Sequence, residues 1–187
     1  MSTGTLVTVV VVVLVVLAAL AAVAFVRRRD RRRLHERFGP EYERTVEAHD
    51  DRRRAEHELR EREKRHDALD IRPLRPETRD RYAREWTRVQ EEFVDRPDGA
   101  VHEADRLVTA LMGERGYPTE GFEQQVRDLS VEHGRTLEHY RAAHEVNGRS
   151  TGGRATTEEL RGAMVHYRAL FDELLEDGSG PRSASRP

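Results

Sequence analysis

Thr5 to Val26 is an uncharged run of valine, leucine and alanine that stops against Arg27-Arg28-Arg29-Asp30-Arg31-Arg32-Arg33, and nothing else constrains the chain so strongly. The run is 22 residues long. At about 1.5 Å rise per helical residue it covers roughly 33 Å, enough to cross the ~30 Å hydrocarbon core of a bilayer. It therefore reads as a single transmembrane helix, residues 5–26, behind a short extracytoplasmic N-terminus, residues 1–4. The four residues before the span carry no charged side chain, whereas six arginines crowd the seven residues after it. Arginine and lysine excess marks the cytoplasmic side. The expected topology is a single-pass protein of the cell membrane, N-terminus outside and C-terminal domain cytoplasmic.

Ala22-Val23-Ala24 has the form of a signal-peptidase site, so a cleaved signal sequence and an envelope-facing or secreted protein is the alternative. Against it, the N-terminal residues lack positive charge, the apolar stretch exceeds the typical h-region, and the arginines sit where a stop-transfer signal would.

Composition excludes several chemistries. The chain has no cysteine, which removes disulfides, thiolate metal sites, iron–sulfur clusters and cysteine nucleophiles. Lys64, Ile71 and Asn147 are each the only residue of their type, and all three use AT-rich codons, which points to a GC-rich bacterial genome. Charge is unevenly spread. Arg27 to Arg75 holds 17 basic and 13 acidic residues, a net +4, whereas Pro76 to Asp177 holds 14 basic and 22 acidic, a net −8. The arginines Arg27, Arg28, Arg29, Arg31, Arg32 and Arg33 are thus expected at the membrane interface, first as a topology signal and second as a contact for anionic lipids. Nucleic acid is not an expected partner, because the distal part is acidic and has no basic stripe interleaved with aromatic residues.

Residues 27–38 continue the span as a basic juxtamembrane segment until Gly39-Pro40 breaks the helix. In residues 39–70 acids precede bases by four at Asp50/Arg54, Glu56/Arg60, Glu58/Arg62 and Glu61/Arg65, which supports an exposed helix. The apolar stripe of Ala55, Leu59 and Leu69 is thin, so the segment reads as a charged helical stalk, with a weak coiled-coil seam, whose stretch from Glu41 to Leu69 reaches roughly 44 Å if continuous. Ile71 to Pro76 is a proline-punctuated link. Residues 71–177 then read as a helical bundle. Tyr82, Trp86, Val89 and Phe93 share one helical face; Val101, Ala104, Leu107, Val108, Leu111 and Met112 make a second, with Arg96 to Gly99 separating the two in an antiparallel hairpin. Phe122, Val126 and Leu129 mark a third helix, and Leu137, Tyr140 and His144 a fourth. Asn147 to Thr156 reads as a flexible loop, before a final helix capped by Thr156 and Glu159 and carrying Leu160, Met164, Tyr167, Phe171 and Leu174. No period-two strand follows the span, so the fold class is all-α. Residues 178–187 read as a disordered tail.

No catalytic, cofactor or metal motif is expected. The nine histidines include His133, His139, His144 and His166 in the bundle, but none has metalloenzyme spacing. Gly148 to Gly153 lacks the lysine and the preceding strand of a phosphate loop. The tetrapeptide His139-Tyr140-Arg141-Ala142 recurs as His166-Tyr167-Arg168-Ala169, explained by coincidence or by parallel packing roles.

The segments Arg33 to Val46, Glu61 to Arg65, Leu69 to Leu74, Trp86 to Phe93, Glu114 to Pro118 and Met164 to Phe171 together resemble a family of uncharacterised small actinobacterial single-pass membrane proteins, often labelled hypothetical or secreted. The resemblance spans nearly the whole chain. It implies the architecture and the origin, and brings no functional residue with it. The combined expectation is a non-enzymatic protein-interaction or scaffold module, partnered by the lipid bilayer and by a protein the sequence does not identify.

Overall fold

The computed structural model describes residues 3–176, with side chains from residue 11 onward. Among these residues the fold is all-helical, with eight helices and no strand. The segment read as a tail, 178–187, lies outside the described residues, as do residues 1–2.

Helix α1, Thr3–Phe38, is 36 residues long and runs unbroken from the apolar span through the arginine cluster. Among the described residues it is the one helix long and apolar enough to cross a membrane. Its apolar side chains from Val11 to Val26 pack against nothing; Phe25, for example, is 68% exposed. Pro40 then opens α2, Pro40–Glu47, and a turn leads to α3, Arg52–Asp67, whose first turn is capped by Asp51 accepting from the Arg53 amide at 3.0 Å.

The expected stalk is folded differently. Residues 39–70 form two helices rather than one, and these turn back along the end of α1 instead of projecting away from it. The physical reason is the stripe that looked too thin for a core. Leu59 is fully buried against Leu34 and Phe38 of α1, Tyr42 of α2 and Val131, a small second core of its own. Ala55 is also fully buried, so the stripe is consumed within the chain and leaves no seam for a coiled coil. Two of the four expected ion pairs form, Glu56 with Arg60 and Glu58 with Arg62, whereas Asp50 lies before α3 and Arg65 reaches Asp128 at 3.2 Å.

The main core lies farther along the chain. Helices α4, Pro76–Glu92, and α5, Pro97–Arg115, pack together as the expected hairpin. Pro97 occupies the first turn of α5, so Arg96 to Gly99 starts the second helix as much as it separates the two. Gly116 ends α5 in the left-handed region at φ 96°, and a Cβ there would sit 2.2 Å from the Asp70 carbonyl oxygen. Only glycine combines that backbone with that approach. After the short α6, Phe122–Leu129, helices α7, Leu137–Ser150, and α8, Thr157–Glu176, form an antiparallel pair, with α8 also lying on α5. Trp86 stacks on Phe171 with ring centroids 4.7 Å apart. Arg79 and Arg115 each donate at 3.0 Å to the carbonyls of Leu175 and Leu174, satisfying acceptors that the end of α8 would otherwise leave orphaned.

The loop expected at Asn147 to Thr156 is shorter than its composition suggests. Helix α7 continues to Ser150 because Asn147 and Ser150 are buried, with the Ser150 hydroxyl bonded back to the Asn147 carbonyl. The capping box forms as expected: Glu159 accepts from the Thr156 amide at 2.8 Å, and the Thr156 hydroxyl accepts from the Glu159 amide at 3.3 Å.

Candidate membrane interface

The six arginines divide into two sets. Arg27, Arg28, Arg29 and Arg32 are exposed and make no ion pair among the described residues. Arg31 and Arg33 are engaged by α3: Arg31 pairs with Glu56 at 3.0 Å, and Arg33 with Glu63 at 2.6 Å. Arg37, one turn farther on, holds Glu63 at 2.9 Å and Asp67 at 3.0 Å. The arginines next to the apolar run are thus left free, and a group farther along locks the end of α1 to α3. Spacing along one helix does not reveal that division, because it is set by the carboxylates of α3.

The α1–α3 unit is fastened to the bundle through several contacts. Arg141 grips Glu41 bidentately at 2.5 and 2.8 Å, with the carboxylate only 4% exposed. Arg65 reaches Asp128. Gly134 lies so close to the end of α1 that a Cβ would meet the Phe38 carbonyl oxygen at 2.3 Å. His66 is buried at the same junction, its ring tilted against Tyr117 at 6.1 Å. Between α2 and the turn before α7 lies an open polar cleft of about 250 Å³, lined by Glu41, Glu43, Arg44, Glu47, Arg135 and Glu138.

Inside the bundle the titratable groups face one another. Asp105 accepts from the Tyr167 hydroxyl at 2.7 Å and meets His144 Nδ1 at 3.2 Å. Burial pushes the Asp105 carboxyl up, but the hydrogen bonds from His144 and Tyr167 outweigh it and hold the group below its ordinary value. Burial, reinforced by the Asp105 charge, raises the Tyr140 and Tyr167 phenols far above theirs, so both stay protonated through the physiological range. Glu173 behaves like Asp105: burial raises it, and bonds from His133 and Thr136 bring it below the usual carboxylate range.

The repeated tetrapeptide has parallel packing roles. Its copies face each other across α7 and α8, with His139 and His166 joined through their Nδ1 atoms at 2.9 Å and Tyr140 edge-on to Tyr167 at 6.1 Å. Among the described residues no three histidine or carboxylate side chains converge as a metal site would require. No protein-family model matches the chain, and no curated protein or solved structure matches it either.

Proposed function

We propose that this chain is a membrane-anchored, non-enzymatic helical module, with α1 spanning the bilayer and the rest displayed on the cytoplasmic face to bind a protein partner. The observation that supports it most is the continuity of α1. The helix that carries the exposed apolar span ends by burying Leu34 at 3% and Phe38 at 0% exposure in the folded part. An anchor joined in this way has no slack, so the bundle is held at a fixed height and orientation, which suits a docking platform better than a freely tethered domain. The arginine excess after the span favours the cytoplasmic side. The same architecture is implied by the actinobacterial family that the sequence resembles.

Beyond the span, Val94 and Val165 are the large apolar side chains left exposed among the described residues. The partner is therefore engaged through charge rather than an apolar patch. The non-enzymatic part rests on the bundle's titratable groups Asp105, His144 and Tyr167, and His133 with Glu173, which are bonded to one another. A reporter active only outside the membrane, fused to the C-terminus, is expected to stay silent; strong activity would reverse the orientation. Ala22-Val23-Ala24 favours a second reading, an envelope-facing or secreted chain. N-terminal sequencing of the mature protein separates the two, since a start at Phe25 is expected only of the second.

A further inference from the structure

The geometry points to a second arginine cluster, Arg52–Arg54 at the start of α3, that faces the bilayer beside Arg27–Arg29 and binds anionic lipid headgroups. This rests on the reading of α1 as a membrane span. The argument is one of register. Helix α2 runs back toward the span, as His35 of α1 meets Glu43 at 3.7 Å and stacks its ring near Tyr42 at 5.4 Å. Helix α3 then runs parallel to α1, because successive contacts climb both helices together: Arg31 with Glu56, Arg33 with Glu63, Arg37 with Asp67. The paired residues differ in number by 25 to 30. Both helices rise by about 1.5 Å per residue, so Arg52 to Arg54 lie level with residues 22–29 of α1, where the apolar run ends and the free arginines begin.

All three are exposed and make no ion pair among the described residues. Sequence distance hides this placement, because the end of α1 carries the chain away from the span and α2 returns it. With Arg27–Arg29 and Arg32, the cluster outnumbers Asp30, Asp50, Asp51 and Glu56, the acids nearest in the chain; Asp51 is occupied in capping α3 and Glu56 is held by Arg31. The fitting partner is a surface of phosphate monoanions at the headgroup level, where juxtamembrane arginines gain most from an anionic leaflet.

The absence of cysteine makes the test direct. The full chain carrying Ala48→Cys, in the exposed turn before α3, takes one fluorophore; Ala68→Cys, just past the far end of α3, is the control. A helix of 16 residues separates the two sites by about 24 Å. Each is reconstituted into phosphatidylcholine vesicles with or without one-third phosphatidylglycerol, containing a headgroup-labelled quencher lipid. The Ala48 label is expected to be quenched several-fold more than the Ala68 label in anionic vesicles. The triple variant Arg52→Gln, Arg53→Gln and Arg54→Gln removes no packed side chain and should at least halve that quenching. Raising salt from 0.1 to 1 M, which shortens the Debye length from about 10 to 3 Å, should do the same. Equal quenching at the two sites, or quenching at Ala48 indifferent to lipid charge and to the triple substitution, overturns the inference. Release of the full chain from vesicles by an alkaline wash would refute the span and this inference together. Retention with an unquenched Ala48 label refutes the arginine face alone.

Discussion

Arg141→Met isolates the bidentate ion pair that links α2 to the bundle. It leaves Glu41 as a carboxylate with 4% side-chain exposure and without its bidentate partner. Stranding one member of a buried ion pair costs about 3–5 kcal/mol. Arg141 itself is 20% exposed, so some water reaches the site and the lower end, about 3 kcal/mol, is the expected value. For a chain of this size each kcal/mol moves the melting temperature by roughly 2–4 °C, which predicts a fall of about 6–12 °C. The double variant Glu41→Met with Arg141→Met removes both charges and should recover most of the loss, since apolar replacement of a buried pair is often close to neutral. The assay is thermal unfolding of the full chain in detergent micelles, followed by helical circular dichroism. A shift under about 2 °C for the single variant, or a double variant at least as unstable as the single, would refute the claim that this pair is desolvated and coupled.

Two further outcomes test the interior. Trp86→Ala opens the stack on Phe171 in a fully packed region and should cost about 3–5 kcal/mol; an unchanged melting temperature together with loss of a bound partner would make Trp86 a contact residue instead. Burial and the neighbouring His139 hold the His166 imidazole below its ordinary value, so the folded state binds fewer protons than the unfolded chain. The stability this pair contributes is present above about pH 6.5 and is lost as pH falls toward the depressed folded value. The expected result is a wild-type melting temperature that drops more between pH 7.5 and 5.5 than that of His139→Phe, which keeps a ring and removes the charge. Parallel curves for the two proteins would reject it.

Helix identity was legible wherever apolar residues recur at the helical period, as at Tyr82, Trp86 and Val89, and wherever a local chemical signal marks an end, as at Gly39-Pro40 and the Thr156/Glu159 box. The reading failed where burial depends on a partner distant in sequence. Leu59 looks isolated in a charged stretch because the residues that cover it, Leu34, Phe38 and Val131, lie on either side of it in the chain at long range. Asn147 looks like a loop residue because its burial comes from the packing of α7, not from its own preference. The arginine cluster was found by composition, but its division into free and locked members depends on Glu56, Glu63 and Asp67, whose pairing with α1 no in-helix spacing encodes.

The same long-range pairing bears on what the charged segment does. A stalk would hold the bundle away from the bilayer, and exposed in-helix pairs of about 0.3–0.5 kcal/mol each would make it a soft one. Folding back along α1 does the opposite: Glu63, only 9% exposed in its side chain, is held by both Arg33 and Arg37, so α3 braces the helix where it leaves the apolar span. The brace is bonded in turn to the bundle through Arg65 and Asp128, the latter 1% exposed. A displacement of the bundle relative to α1 must therefore break ion pairs whose carboxylates are buried rather than bend a linker. On the proposed reading, a partner bound to the bundle and a change in the lipid around the arginines would act on one continuous mechanical unit.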